Sequence, residues 1–279
     1  MSRKELNMVE EKNKNSGQQQ GGREGKKGTP YRRHPVVTGR DESTFTTLYA
    51  LTIASIGQLA KAHFPSEDSA RKRMNKLHEN GYVEKTTFVP RNSTKDIGLW
   101  YLKPRPYRRE AKHAGRPEET YPEFPKRMDH HLKTNDLYAD ICKPLCRIFD
   151  EELIEGSNWL WKNEEHSFLR YEYAGRTRVH QPDAEVHFPD GRMFCIERQT
   201  KESRQTQQVF QQKVEGFYTY TQYMGFEEGQ TTLIFACDEQ RDQDYADKAM
   251  QGYEDDLTAV ITDPSDAAQY IVEQAKGAG

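Results

Sequence analysis

The chain has 279 residues, of which 34% are hydrophobic and 30% are charged, and its formal net charge is −3. A chain of this length builds about two domains of ordinary size. No stretch approaches the roughly 18 consecutive apolar residues of a membrane span, and no secretory signal peptide is recognisable. Four cysteines at irregular spacing predict neither a disulfide framework nor a zinc site. We therefore expect a cytoplasmic protein with no membrane partner.

The charge is divided unevenly along the chain. Residues 1–120 carry 24 lysines and arginines against 14 aspartates and glutamates, a net charge of +10. Residues 121–279 carry 17 against 30, a net charge of −13. A basic surface attracts nucleic acid and an acidic surface repels it. We therefore expect the first half of the chain to bind nucleic acid.

Residues 1–42 are rich in Gln, Gly, Lys and Asn and contain few apolar residues, which predicts a disordered basic arm. Within this arm, the run GKKGTPYRR at 25–33 places four basic residues around Tyr31. Either the run lies along a phosphate backbone, or it only keeps the chain soluble.

Residues 43–103 have the periodicity of three short helices. Ser43 or Thr44 is expected to cap the first, Ser55 to begin the second, and Ser66 to cap the third. Apolar residues of the third helix recur at the spacing of one buried face. Its opposite, solvent-facing side carries four candidate DNA-binding residues, Arg71, Lys72, Asn75 and Lys76.

Two strand-like runs, 82–89 and 97–102, follow the helices and are joined by a turn that contains Arg91 and Lys95. Three helices and a hairpin are the winged-helix order, in which the third helix enters the major groove and the hairpin contacts phosphate or the minor groove. The basic residues favour double-stranded DNA as the partner. The alternative is a winged helix used for protein contact or dimerisation, and a homodimer would have to use the globular domains because no coiled-coil heptad is present.

Residues 104–127 are basic and rich in proline, which predicts an extended linker. The remaining residues, 128–279, predict an α/β domain in the order αβββαβ with an αβα extension, so the whole chain is of the α+β class. The predicted helices are 131–150, 202–224, 242–253 and 266–275, and the predicted strands are 159–168, 178–188, 192–199, 231–236 and 257–262. This order resembles the core of the PD-(D/E)xK nuclease superfamily.

Two carboxylates are expected to meet across the turn at 189–191. Asp183 lies on the second predicted strand, and Glu197 lies on the third with Gln199 on the same face. Such a pair suits Mg²⁺ or Mn²⁺, which would activate water for attack on a phosphate. We predict that Asp183 and Glu197 bind the metal and are catalytic. The superfamily usually has a lysine where this chain has Gln199, so we expect Gln199 to position water and Lys201 to supply the charge.

Other interpretations of these residues stay open. Asp183 could turn the chain after a proline, and Glu197 could pair with Arg198 or Lys201 on an exposed face. A further carboxylate could come from Glu164, Glu165 or Asp136.

Four stretches resemble the replication-relaxation protein family of plasmids and other mobile elements. They are MDHHLKTNDLYADI at 128–141, PDAEV at 182–186, FCIERQT at 194–200 and KVEGFYTY at 213–220. The resemblance implies a winged helix joined to a PD-(D/E)xK-like domain, and a role in plasmid replication and DNA relaxation. His130 and His131 match a histidine position of the family, and they either bind metal or pack the start of a helix.

The leading hypothesis is a DNA-binding protein of a mobile element that acts in replication, relaxation or transfer and nicks DNA with a metal ion. The alternative is a non-catalytic regulator or initiator accessory whose second domain binds replication or transfer proteins. A more distant possibility is a restriction-type endonuclease.

Overall fold

The computed structural model describes residues 36–151 and 159–277. Its first half contains three helices, a short strand and a hairpin, in the order α1 (Gly39–Leu51), β1 (Ala54–Ser55), α2 (Ile56–His63), α3 (Glu67–Glu79), β2 (Val83–Phe88) and β3 (Ile97–Leu102). Strand β3 lies between β1 and β2 and is antiparallel to both. The predicted succession of three helices and two strands is confirmed. The run at 25–33 lies outside the described residues.

Local capping explains where these helices begin. The Ser55 hydroxyl accepts from the Gln58 amide and the Gln58 side chain accepts from the Ser55 amide, so α2 begins as predicted. The Ser66 hydroxyl accepts from the Ser69 amide at the start of α3, also as predicted. The prediction for α1 was wrong: the helix begins at Gly39, because Thr38 precedes it and donates its amide to Asp41. Position 42 therefore lies inside α1 and not at the end of a disordered arm.

The proline-rich segment is helical in its first part. Helix α4 (Pro104–His113) occupies residues that we predicted to be extended. A proline in the first turn suits a helix, because its missing N–H has no partner there and its φ is already helical. Tyr107 and Ala111 bury one face of α4, and this packing overrides the poor sequence pattern.

The second half consists of a mixed sheet with helices on both faces. Its elements are α5 (Met128–Glu151), β4 (Leu160–Asn163), β5 (Leu169–Tyr173), β6 (Arg176–His180), β7 (Ala184–His187), β8 (Met193–Gln199), α6 (Gln207–Met224), β9 (Thr231–Cys237), α7 (Gln240–Met250), β10 (Thr258–Thr262) and α8 (Pro264–Lys276). The five-stranded sheet has the order β10-β9-β8-β7-β4. Strands β4, β7 and β8 are antiparallel, and β8, β9 and β10 are parallel. The α+β class is confirmed.

One predicted strand is divided. The run 178–188 forms the end of β6 and all of β7, and β6 pairs with β5 in a separate two-stranded sheet. Pro182 lies at the break, where a residue without an N–H cannot continue a central ladder. Without this inserted hairpin, the elements follow the predicted order αβββαβ. The turn at 189–191 is also as predicted, with Gly191 at a φ of 90°.

The core has two apolar layers, one on each face of the five-stranded sheet. On one face, Ile196 of the sheet packs with residues of α5 and α8, in a cluster that continues to Phe45 of α1. On the other face, Phe235 packs with Phe210 of α6 and with residues of α7. Both halves of the chain therefore contribute to the core on the face covered by α5 and α8, and the division into domains at 103 and 128 stays a prediction. No helix within the described ranges has the length and apolar character needed to cross a membrane.

Candidate functional site

Asp183 and Glu197 lie next to each other on adjacent strands. Ala184 of β7 pairs with Ile196 of β8, so the next step of this antiparallel register places Asp183 opposite Glu197. Side chains alternate between the faces of a sheet, and both carboxylates therefore lie on the face covered by α6. Each residue is only 8% exposed. The structure thus brings together the two carboxylates that the sequence pairs.

Asp183 is held in its ionised form. One carboxylate oxygen lies 2.8 Å from His130 Nε2, and the other accepts from the Arg198 amide at 2.8 Å. Burial alone would raise the pKa of Asp183, but the Lys213 ammonium and these hydrogen bonds hold it well below its usual range.

Glu197 is in direct contact with the ammonium of Lys213 on α6. Burial raises the pKa of Glu197 above its ordinary value; Lys213 opposes this change and the charge of Asp183 adds to it. Burial would lower the pKa of Lys213, yet Glu197 and Asp183 together raise it. The lysine therefore carries its proton, and its single positive charge interacts with both buried carboxylates.

Gln199 lies on the same face of β8, one pleat beyond Glu197. It is fully buried, and neither its amide nitrogen nor its oxygen has a hydrogen-bond partner among the described residues. Leaving a buried polar group unpaired costs about 1–3 kcal/mol. Packing therefore gives no reason for an amide at this position.

Lys201 lies outside this arrangement. Our prediction for Lys201 required β8 to continue past Gln199, but the strand ends there and Lys201 follows in an exposed turn. Two of the other candidate carboxylates, Asp136 and Glu164, have different partners. Asp136 accepts from the Gln58 side chain at 2.9 Å, and Glu164 lies 3.6 Å from Arg127.

Sequence reasoning missed Lys213, although a signal for it exists. The buried stripe of α6 contains Phe210, Val214 and Phe217, and Lys213 falls within this stripe at helical spacing. A lysine in an apolar stripe requires a buried acidic partner. Here that partner is Glu197.

The histidines that begin α5 have separate roles. His130 contacts Asp183, as described above, whereas His131 Nε2 lies 2.7 Å from the Leu51 carbonyl oxygen. Burial lowers the pKa of His131 to about 4. His131 therefore joins α5 to the end of α1 as a neutral side chain.

A third buried carboxylate of this sheet, Glu185, lies one pleat from Asp183 on β7. Its oxygens lie 2.8 Å from His180 Nε2 and 2.7 Å from His187 Nε2, and Lys162 is 3.3 Å away. Burial would raise the pKa of Glu185, but these partners lower it strongly. These contacts join β4, β6 and β7, so the burial of Glu185 has a structural reason.

The candidate DNA-binding residues all lie on the surface. The candidates Arg71, Lys72, Asn75 and Lys76 are exposed on α3, and Arg91 and Lys95 are exposed in the turn between β2 and β3. Arg71 also forms ion pairs with Asp68 and Glu67 of its own helix, at 3.2 and 3.6 Å. The turn between β2 and β3 also contacts the second half of the chain, because the Asn92 side chain donates to Glu202 at 3.2 Å.

Together, these features define an α+β protein whose mixed sheet carries a buried carboxylate pair beside a lysine, and whose first half exposes lysine and arginine side chains on α3. The profile of the replication-relaxation family matches residues 45–235, which is more than half of the chain, and the chain belongs to this family. Membership indicates a role in the replication or relaxation of mobile elements. No curated protein and no solved structure matches the chain.

Proposed function

We propose that this chain is a DNA-binding protein of a plasmid or related element and that it nicks DNA during replication, relaxation or transfer. The observation that carries the proposal is the placement of Asp183 opposite Glu197 on the mixed sheet, with Lys213 in contact. A buried carboxylate pair with one shared lysine is costly to maintain for stability alone. A functional role therefore explains this buried group of charges better than a contribution to stability does.

The donor set fits Mg²⁺ or Mn²⁺ bound together with a substrate. In the described part of the chain, no group of three or more His, Cys, Asp or Glu could hold a metal ion. Mg²⁺ needs fewer protein ligands, because it is commonly bound by one or two carboxylates while waters and substrate phosphate complete its shell. Asp183 and Glu197 would supply these carboxylates.

Each side chain of the site has a proposed role. A bound divalent ion would lower the pKa of a water and offset charge on the attacked phosphate. Asp183 is kept ionised by Lys213, His130 and the Arg198 amide, so it would be available as a ligand at neutral pH. Lys213 would stabilise negative charge on the phosphate, and the unpaired amide of Gln199 would orient the attacking water.

DNA binding is assigned to the first half, as a winged helix. Helix α3 would lie in the major groove, with Lys72, Asn75 and Lys76 directed at DNA, and the β2–β3 turn would contact phosphates through Arg91 and Lys95. The element order and the sheet order β1-β3-β2 support this assignment.

The alternative function is a non-catalytic regulator or initiator accessory that uses its second half to bind a protein. Two observations favour it. Gln199 replaces the lysine of the superfamily pattern, and residues 121–279 carry a net charge of −13, which opposes the approach of DNA.

A plasmid assay separates the two functions. Purified chain is incubated with supercoiled plasmid and Mn²⁺ or Mg²⁺, beside Asp183→Asn, Glu197→Gln and the control Glu228→Gln, which changes an exposed carboxylate. We expect open circles from the wild type and the control only. Intact plasmid in every reaction, with DNA binding retained, would refute nicking and favour the non-catalytic function.

Binding is tested by the salt dependence of affinity for duplex DNA. Loss of two phosphate contacts should reduce the slope of log K against log salt by about 2. We expect this change for Lys72→Ala combined with Lys76→Ala and not for Lys248→Ala, an exposed lysine of α7. Equal slopes for all three proteins would exclude α3 as the binding element.

A further inference from the structure

We propose that Lys213 is a built-in competitor of the metal ion: it occupies the Glu197 carboxylate until the ion binds, and then moves to Gln199. The proposal rests on the proposed function, because it concerns the same carboxylates. It adds a mechanism by which this site resists loading with metal alone.

The ion pair occupies the position where a metal would bind. The Lys213 ammonium contacts Glu197 Oε2, and the two side chains are only 20% and 10% exposed. A carboxylate oxygen in direct contact with an ammonium cannot also bind a divalent cation at ligand distance, because the two positive charges would repel each other at close range in a poorly solvated site. Metal binding through Glu197 Oε2 therefore requires the ammonium to leave.

The Lys213 side chain is only 20% exposed. A buried ammonium without a hydrogen-bond acceptor is costly, so Lys213 needs a second acceptor when it leaves Glu197.

Gln199 provides that acceptor. Its Oε1 atom is buried and unpaired among the described residues, and it lies on the same face of β8 as Glu197. Residues two apart on a strand are separated by about 6.6 Å, a distance that a lysine side chain spans by changing rotamers. Lys213 therefore has two acceptors within reach, Glu197 without metal and Gln199 with metal. This arrangement also gives the unpaired amide a reason to be present.

The test measures Mn²⁺ binding by calorimetry on the full chain without DNA, so that no catalytic step is involved. Lys213→Met keeps the length of the stem and removes the charge, and we expect it to bind Mn²⁺ at least ~10-fold more tightly than the wild type, a factor equivalent to about 1.4 kcal/mol. Gln199→Leu removes the second acceptor and should weaken binding by a similar factor. The control Lys248→Met should bind as the wild type does. Glu197→Gln should abolish Mn²⁺ binding both alone and in combination with Lys213→Met.

Each outcome decides the question. Tighter binding by Lys213→Met together with weaker binding by Gln199→Leu supports the competition. Equal affinities of the wild type and Lys213→Met would overturn it while leaving a metal-dependent function intact. Absence of Mn²⁺ binding in every variant, Lys213→Met included, would overturn the competition, and the plasmid assay would then decide the proposed function separately. If Lys213→Met does not fold, Gln199→Leu decides alone, because it retains the lysine: an unchanged affinity then refutes the second position.

Discussion

His63, at the end of α2, should make the fold sensitive to mild acid. Its Nε2 atom lies 2.6 Å from the Thr47 hydroxyl, which is also 2.7 Å from the Tyr138 hydroxyl. Burial lowers the pKa of His63 to about 4, and the charges of Lys143 and Arg40 act in the same direction. The folded chain therefore holds this imidazole neutral at pH values where the unfolded chain protonates it.

The sign and the magnitude follow from proton linkage. Between pH 6.5, the ordinary histidine value, and about pH 4, the unfolded state binds more protons than the folded state. Stability consequently falls as the pH is lowered through this interval, and it is recovered above pH 6.5. The difference between the two pKa values corresponds to about 3 kcal/mol, with a slope of at most about 1.4 kcal/mol for each pH unit.

Urea unfolding at a series of pH values between 4 and 7.5 tests this reasoning. His63→Gln keeps a polar group near Thr47 but does not titrate. The slope of its free energy of unfolding against pH should therefore be smaller than that of the wild type, by up to about 1.4 kcal/mol for each pH unit. The control His113→Gln changes an exposed histidine and should leave the slope unchanged. A wild-type slope in His63→Gln would show that this histidine is not held neutral in the fold.

Three further changes test the buried polar groups. Glu185→Gln weakens the contacts with His180 and His187 and should lower the free energy of unfolding by about 3 kcal/mol in urea titrations; a loss below ~1 kcal/mol would contradict its structural role. Arg73→Met leaves the fully buried Asp41 without its ion pair and should lower the melting temperature, and an unchanged melting temperature would count against the pair as the tie between α1 and α3. Gln199→Leu should raise the free energy of unfolding by about 1 kcal/mol or more, since it removes two unpaired polar atoms, and a clear loss would mean that the amide has partners in solution.

The parts of the fold that could be predicted are those fixed by neighbouring residues. The start of α3 at Ser66 depends on a hydroxyl and an amide three residues apart, and the turn after β7 depends on Gly191. The pairing of Asp183 with Glu197 follows from that turn, because its length sets the register between β7 and β8. Short-range chemistry was therefore enough to place both carboxylates.

The parts that could not be predicted depend on packing between distant segments. Helix α4 is stabilised because Tyr107 and Ala111 are buried against the core. The prolines of this segment indicated an extended chain and gave no sign of the helix. The partner of Lys213 is 16 residues away and lies across the sheet and helix interface, so strand alternation could not identify it. Sequence alternation pointed instead to Lys201, which would have been correct only if β8 had been longer.

The location of the lysine has a physical consequence for the site. A cation at position 199 would be fixed to the same strand as Glu197, and its distance from the carboxylates would be set by the sheet. Lys213 instead belongs to α6, which packs on the sheet through Phe210 and Val214. A small displacement of α6 therefore changes the distance between the lysine and Glu197 without disturbing the pairing of β7 with β8. The carboxylates are positioned by the ladder and the cation by a helix, so the charge balance of the site depends on how α6 packs on the sheet.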